Sequence, residues 1–97
     1  LLYQIEITTD AQEDIKYFRA FEQRFIGEAI VRHLKRDAEV ETRKRKKLRP
    51  NPLAPWELKV ESFRVFYSVV EDQLVRVVAV GRKEHNDLYI RGRKVDL

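Results

Sequence analysis

Tyr3, Ile5 and Ile7 alternate with Gln4, Glu6 and Thr8, a period of two that predicts a short strand over Tyr3–Thr8. The period then lengthens. Ala11, Ile15 and Phe18 recur at helical spacing, and Thr9 followed by Gln12 fits a capping box, so a first helix is expected to start at Thr9. After a break near Ala20–Gln23, Ile26, Ala29, Ile30, Leu34 and Ala38 form an apolar stripe opposite a charged face, predicting a second helix from about Glu22 to Lys46. Gly27 inside that helix costs about 1 kcal/mol relative to Ala, and close approach to the first helix is the expected compensation. All three prolines fall in "RPNPLAP", which breaks regular structure from Arg49 to Pro55 and marks the boundary between a helical and a strand half. From Trp56 the period returns to two in "WELKV", "FRVFYSVV" and "LVRVVAVG", with polar breaks at Glu61-Ser62 and Glu71-Asp72-Gln73. This is the pattern of a three-stranded antiparallel meander.

The order β-α-α-β-β-β predicts an α+β fold, a helical hairpin packed on one face of a mostly antiparallel sheet, in one domain over residues 1–97. Alternation assigns the faces. Trp56, Leu58 and Val60 belong under the helices, and Glu57, Lys59 and Glu61 on the other side. In the next strand Phe63, Val65, Tyr67 and Val69 oppose Arg64, Phe66, Ser68 and Val70, so Lys59 and Arg64 share the open face with Phe66 as an aromatic platform.

The charge is local. The chain carries a net +4, yet Arg43–Arg49, "RKRKKLR", holds six of its 20 Lys and Arg, leaving 14 against 16 Asp and Glu elsewhere. Arg43, Lys44, Arg45, Lys46, Lys47 and Arg49, with Arg82, are candidate phosphate contacts, since neutralising phosphates releases condensed counterions. The same run also reads as a solvated helix end that complements the helix dipole. There is no Cys, which excludes disulfides and thiolate metal sites, and no apolar run approaches the roughly 18–20 residues that cross a bilayer. A cytoplasmic protein without membrane association is the expectation. No Met is present, so the natural start is expected to lie outside this sequence. The three glycines, Gly27, Gly81 and Gly92, form no nucleotide-binding loop, and His33 with Asp37 supplies only two ligands at helical spacing, so neither cofactor nor metal is expected.

One stretch asks for more than structure. "VGRKEHNDLY", residues 80–89, ends a Val-rich strand in cations and proton carriers where one Gly or Pro would suffice to stop it. Together with the element order and the strand "FRVFY", it resembles the RelE/ParE superfamily of toxins from bacterial toxin-antitoxin pairs, over nearly the whole chain and most strongly from Trp56 to Tyr89. The RelE branch implies a metal-independent endoribonuclease that cuts mRNA in the ribosomal A site and is held by a cognate antitoxin. The ParE branch implies a non-catalytic inhibitor of DNA gyrase. By resemblance to RelE, Lys59 is the general base, Arg64 the phosphate-stabilising residue, Lys83 the general acid and Tyr89 the substrate support, with His85 at a position that is also basic. Glu57 departs from the pattern, because RelE carries a second Lys there, and Lys83 replaces an Arg.

The chemistry asks for these residue types. Attack of a ribose 2′-hydroxyl on the adjacent phosphate needs a base, cations for the added negative charge and an acid for the 5′-oxygen. A lysine serves as base only where neighbouring cations disfavour its protonated form, a demand that Arg64 and Lys83 meet and Glu57 opposes. Arg64 can hold a phosphate with two hydrogen bonds. Lys83 is the expected acid, with His85 orienting the phosphate, because a histidine among cations tends to be neutral at pH 7. Retention of Lys59, Lys83 and Tyr89 together favours the RNA-cleaving branch.

Overall fold

The computed structural model describes residues 2–97. It runs β1 (Gln4–Ile7), α1 (Thr9–Lys16), α2 (Ala20–Leu34), β2 (Arg45–Lys47), β3 (Trp56–Val60), β4 (Phe63–Val70), one 3-10 turn (Glu71–Gln73), β5 (Leu74–Glu84), β6 (Asp87–Ile90) and β7 (Arg93–Val95). The strands form one sheet in the order β2-β3-β4-β5-β6-β7, all antiparallel, with β1 added in parallel to β5. The expected α+β architecture, two helices on one face of a mostly antiparallel sheet, is present.

Several boundaries differ from expectation. Thr8, not Thr9, caps α1, its Oγ1 accepting from the Ala11 N–H at 3.2 Å, while Gln12 Nε2 donates back to Ile7 O. The break between the helices falls at residues 17–19. Helix α2 stops at Leu34, twelve residues short of Lys46. Beyond it only Ala38 is buried until Ala54, so the charged tail has no apolar stripe to hold a helix against the sheet. Its last part pairs instead with β3 as β2. The C-terminal strands β6 and β7 extend the expected meander.

Burial follows the period-two pattern. Trp56, Leu58, Val60, Phe63, Val65 and Tyr67 join Ile26, Ile30 and Leu34 in the main core under the helices. Tyr67 donates its hydroxyl to Ala38 O at 2.7 Å, and burial pushes its phenol well above the ordinary range. Gly27 of α2 does not meet α1: among the described residues, nothing beyond its chain neighbours and the adjoining helix backbone lies within 4 Å of a Cβ there, so close helix packing is not its reason.

The face away from the helices is only partly open. Leu48, with Leu53 and Ala54 of the proline-rich loop that follows it, folds over Phe66, Ala79, Leu88 and Ile90 and makes a second core. Phe66 is fully buried there, which corrects its reading as a stacking platform. A bulge makes this two-sided burial possible. Phe66 pairs with Ala79 and Tyr67 with Val77, leaving Val78 as the extra residue of β5. Val77 and Val80 thereby both enter the main core, while Ala79 enters the second.

Candidate functional site

Register fixes which candidate residues meet. Residues directly opposite in an antiparallel pair project on one face. Lys59 pairs with Arg64, and Arg64 pairs with Gly81. Lys83 lies two residues beyond Gly81 and returns to the same side. The structure therefore gathers Lys59, Arg64 and Lys83 on the face away from the helices, across three adjacent strands. Gly81 is required at the centre, since a Cβ there would lie 2.5 Å from Tyr89 O and 2.9 Å from Ile90 Cγ1.

Lys59 is exposed, while Arg64 and Lys83 are half-buried. Arg64 Nη1 donates to Glu61 O at 2.8 Å and Phe63 O at 2.9 Å, which leans the guanidinium over the β3–β4 turn and leaves Nε and Nη2 outside those bonds. Glu57, the residue that departs from the RelE pattern, stands opposite Lys46 of β2. A cation of the basic run thus faces the carboxylate across the strand pair.

The stretch "VGRKEHNDLY" turns out to be a hairpin. His85 and Asn86 hold φ of 50° and 72°, the two positive values of a type I′ turn, and Glu84 pairs with Asp87 across it. Two of the polar residues that end β5 are there because the chain reverses within two residues. His85 is exposed at that tip. The pairing carries Tyr89 opposite Arg82, on the helix side of the sheet, so Tyr89 lies on the other face from Lys59, Arg64 and Lys83. It lines a cleft of about 290 Å³ with Tyr17, Phe18, Arg82, Glu84, Arg91 and Gly92.

Two candidate RNA contacts serve the fold. Arg82 stacks on Phe18 and Phe63, 5.2 and 4.8 Å from the ring centroids, and its Nη2 pairs with Glu22. Glu22 is held below its ordinary carboxylate range first by the Arg19 N–H and then by Arg82. Arg45 projects toward the helices, its Nη1 donating to His33 O at 3.0 Å and its Nε to Val40 O at 2.9 Å. His33 nearby is pushed below its ordinary value by burial and by Lys44, Arg45 and Arg32. Arg43, Lys44, Lys46, Lys47 and Arg49 remain exposed. Among the described residues no three His, Asp or Glu side chains converge as a metal site, and no helix is long and apolar enough to cross a membrane.

A buried acid, Asp14, escaped the sequence analysis. Its Oδ2 accepts the Val80 N–H at 3.0 Å, and Arg91 Nε stands 2.8 Å from Oδ1. Burial raises its carboxyl above the ordinary Asp value, against the lowering effects of the Val80 N–H and Arg91. The signal was present, since Asp14 falls on the helical face that carries Ala11, Ile15 and Phe18.

The family model described as ParE toxin of type II toxin-antitoxin systems, parDE, matches residues 5–87. Among solved structures, the chain is similar to one in the crystal structure of the toxin-antitoxin complex RelBE2 from Mycobacterium tuberculosis. That likeness has a TM-score of 0.70 and 19% identity, covering 86% of this chain and 100% of the other, and it is a likeness of fold. No curated protein matches the chain.

Proposed function

The chain belongs to the ParE toxin family of type II toxin-antitoxin systems, within the RelE/ParE superfamily, and on that premise we propose that it is a ribosome-dependent endoribonuclease that cleaves mRNA in the A site and is silenced by a cognate antitoxin. One observation carries the reading. Lys59, Arg64 and Lys83 share a face of the sheet, and among the described residues none of them is in an ion pair, whereas Arg76, Arg82 and Arg91 each have a carboxylate.

In this reading Lys59 takes the proton of the attacking 2′-hydroxyl. The Nε and Nη2 of Arg64 meet the phosphate as negative charge builds on it, a use for which Nη1 is not needed. Lys83 delivers a proton to the departing 5′-oxygen, with His85 at the hairpin tip orienting the phosphate. Arg43, Lys44, Lys46, Lys47 and Arg49 extend the cationic surface along the edge of the sheet toward flanking phosphates. The ribosome supplies the orientation that an open sheet face cannot, consistent with a reaction that depends on it. Tyr89, on the helix side, supports the C-terminal hairpin in this scheme and leaves substrate contact to the cations.

The position of Tyr89 favours a second reading. A toxin whose tyrosine and cations lie on opposite faces lacks one member of the RelE set, and the family that matches is named for ParE, whose branch acts by binding gyrase without catalysis. Two assays separate the readings. Programmed ribosomes with mapping of mRNA 3′ ends should show cuts at the A-site codon, with gyrase supercoiling unaffected. Intact mRNA together with inhibited supercoiling would reject the nuclease and support the second. The cognate antitoxin should copurify with the tagged chain on co-expression with its genomic neighbour, and failure to recover it would reject that partner.

A further inference from the structure

The outer face of α2 is unpartnered and self-complementary. At about 100° per residue, Phe21, Arg24, Glu28 and Val31 all fall within about 40° of the meridian opposite Ile26. Ile26 is fully buried, so that meridian points straight out. Phe21 is 58% exposed and Val31 51%, with Phe25, 41% exposed, beside them, an apolar stripe of the kind a monomer normally covers. Arg24 and Glu28 are exposed, and among the described residues neither forms an ion pair. Gly27 adds an independent mark. It weakens the helix by about 1 kcal/mol, and among the described residues nothing beyond its chain neighbours and the adjoining backbone of α2 lies within 4 Å of where its Cβ would be.

We propose that this face pairs with the same face of a second copy of the chain, the two α2 helices running antiparallel about a two-fold axis level with Ile26. Such an axis brings residue pairs whose numbers sum to that of Ile26 doubled to the same level. Arg24 of each copy then lies level with Glu28 of the other, so both cations and both carboxylates are matched at once. Phe21 lies level with Val31, also twice. Gly27, on the same flank as Arg24 and Val31, leaves room for the aliphatic stem of the second copy's Arg24 as the helices approach. The face lies across the sheet from Lys59, Arg64 and Lys83, so the pairing leaves the cationic surface uncovered in both copies.

Sedimentation velocity of the purified full chain, at increasing micromolar concentration, tests it. The wild type should dimerise, and Arg24→Glu or Glu28→Arg should each weaken the dimer by at least about tenfold, because each sets two pairs of like charges together. The double variant R24E/E28R should recover the dimer. Its new pair is also the better oriented one within a single helix, so folding is not at risk, and circular dichroism should show unchanged helix content in all three. A wild-type chain that stays monomeric overturns the pairing, as does a double variant that remains as weak as the single ones. Loss of antitoxin capture in the single variants with sedimentation unchanged would assign the face to the antitoxin and equally overturn it.

Discussion

Asp14 is the test of how the sheet is held. On β5, the edge away from β4 pairs with β1 through Val77 and with β6 from Arg82, and the Val80 N–H in the gap between them is taken by the Asp14 carboxylate. Replacing Asp14 by Ala leaves that buried N–H without a partner, a cost of about 1–3 kcal/mol. For a chain of this size about 1 kcal/mol moves Tm by roughly 4–8 °C, so Asp14→Ala should melt at least about 4 °C below wild type. Asp14→Asn keeps an oxygen for Val80 and gives up the attraction to Arg91. The Arg91 side chain is 49% exposed, so solvent screening limits that loss to about 0–1 kcal/mol.

The two variants separate hydrogen bonding from charge. The folded Asp14 carboxyl has a raised pKa, so between the ordinary and the raised value the folded state holds a proton that the unfolded chain has released. Wild-type stability from this group therefore falls as pH rises from the ordinary Asp value of about 3.9 through the raised folded value, and is level above it. The Asn variant does not titrate there. The difference in Tm between Asp14→Asn and wild type should shift in favour of Asn across that window and then stay constant. Thermal unfolding by circular dichroism over a pH series reads both effects. If Asp14→Ala melts with wild type, or the Asn difference moves in favour of wild type as pH rises, the assignment of Asp14 as a buried strand cap is wrong.

Arg64→Ala should lower ribosome-dependent cleavage by about 100-fold, the scale for removing one transition-state donor, with thermal unfolding as the check that the β3–β4 turn survives; undiminished cleavage by the folded variant would reject its role. On RNA whose 5′-bridging oxygen is sulfur, a leaving group that needs no proton, Lys83→Ala should recover most of its activity while His85→Ala should not, and the reverse pattern would make His85 the acid. Gly27→Ala should raise the Tm of the dilute monomer by roughly 4–8 °C, since a methyl there meets no described residue beyond its own stretch of helix and the helix gains about 1 kcal/mol. Tyr67→Phe should cost about 1–3 kcal/mol in denaturant unfolding, because Ala38 O loses its buried donor.

Legibility in the sequence followed what each feature depends on. Alternation is a property of the backbone, so the faces of β3 and β4, the burial of Trp56, Leu58, Val65 and Tyr67, and the meeting of Lys59 with Arg64 could all be read without coordinates. The end of α2 could not. Residues 35–47 are mostly charged and include good helix formers, and their path is decided by distant partners. Arg45 binds the carbonyls of His33 and Val40, and β2 finds its ladder on β3. Phe66 looked exposed because alternation places it opposite the helices. Only the fold of the proline loop, which brings Leu53 and Ala54 over it, makes that face a second core.

The C-terminal stretch carries two messages in the same letters, and the second sets the geometry of the first. Arg-Lys-Glu-His-Asn-Asp-Leu-Tyr reads by resemblance as a catalytic tail, in which Lys83 and Tyr89 serve one substrate. It also contains the two residues of a type I′ turn, with Asn86 the recognisable signal. A two-residue loop at His85-Asn86 pairs Glu84 with Asp87, and stepping outward gives Lys83 with Leu88 and Arg82 with Tyr89. Parity alone then separates Lys83 from Tyr89, because neighbouring residues on a strand project to opposite faces. For Tyr89 to reach the face that carries Lys59 and Arg64, the hairpin would have to shift its register by one residue, which would also turn Leu88 out of the second core that it fills at 4% exposure. The burial of Leu88 therefore locks Tyr89 to the helix side, and under the proposed nuclease reading this face has its three cations to work with and not the tyrosine.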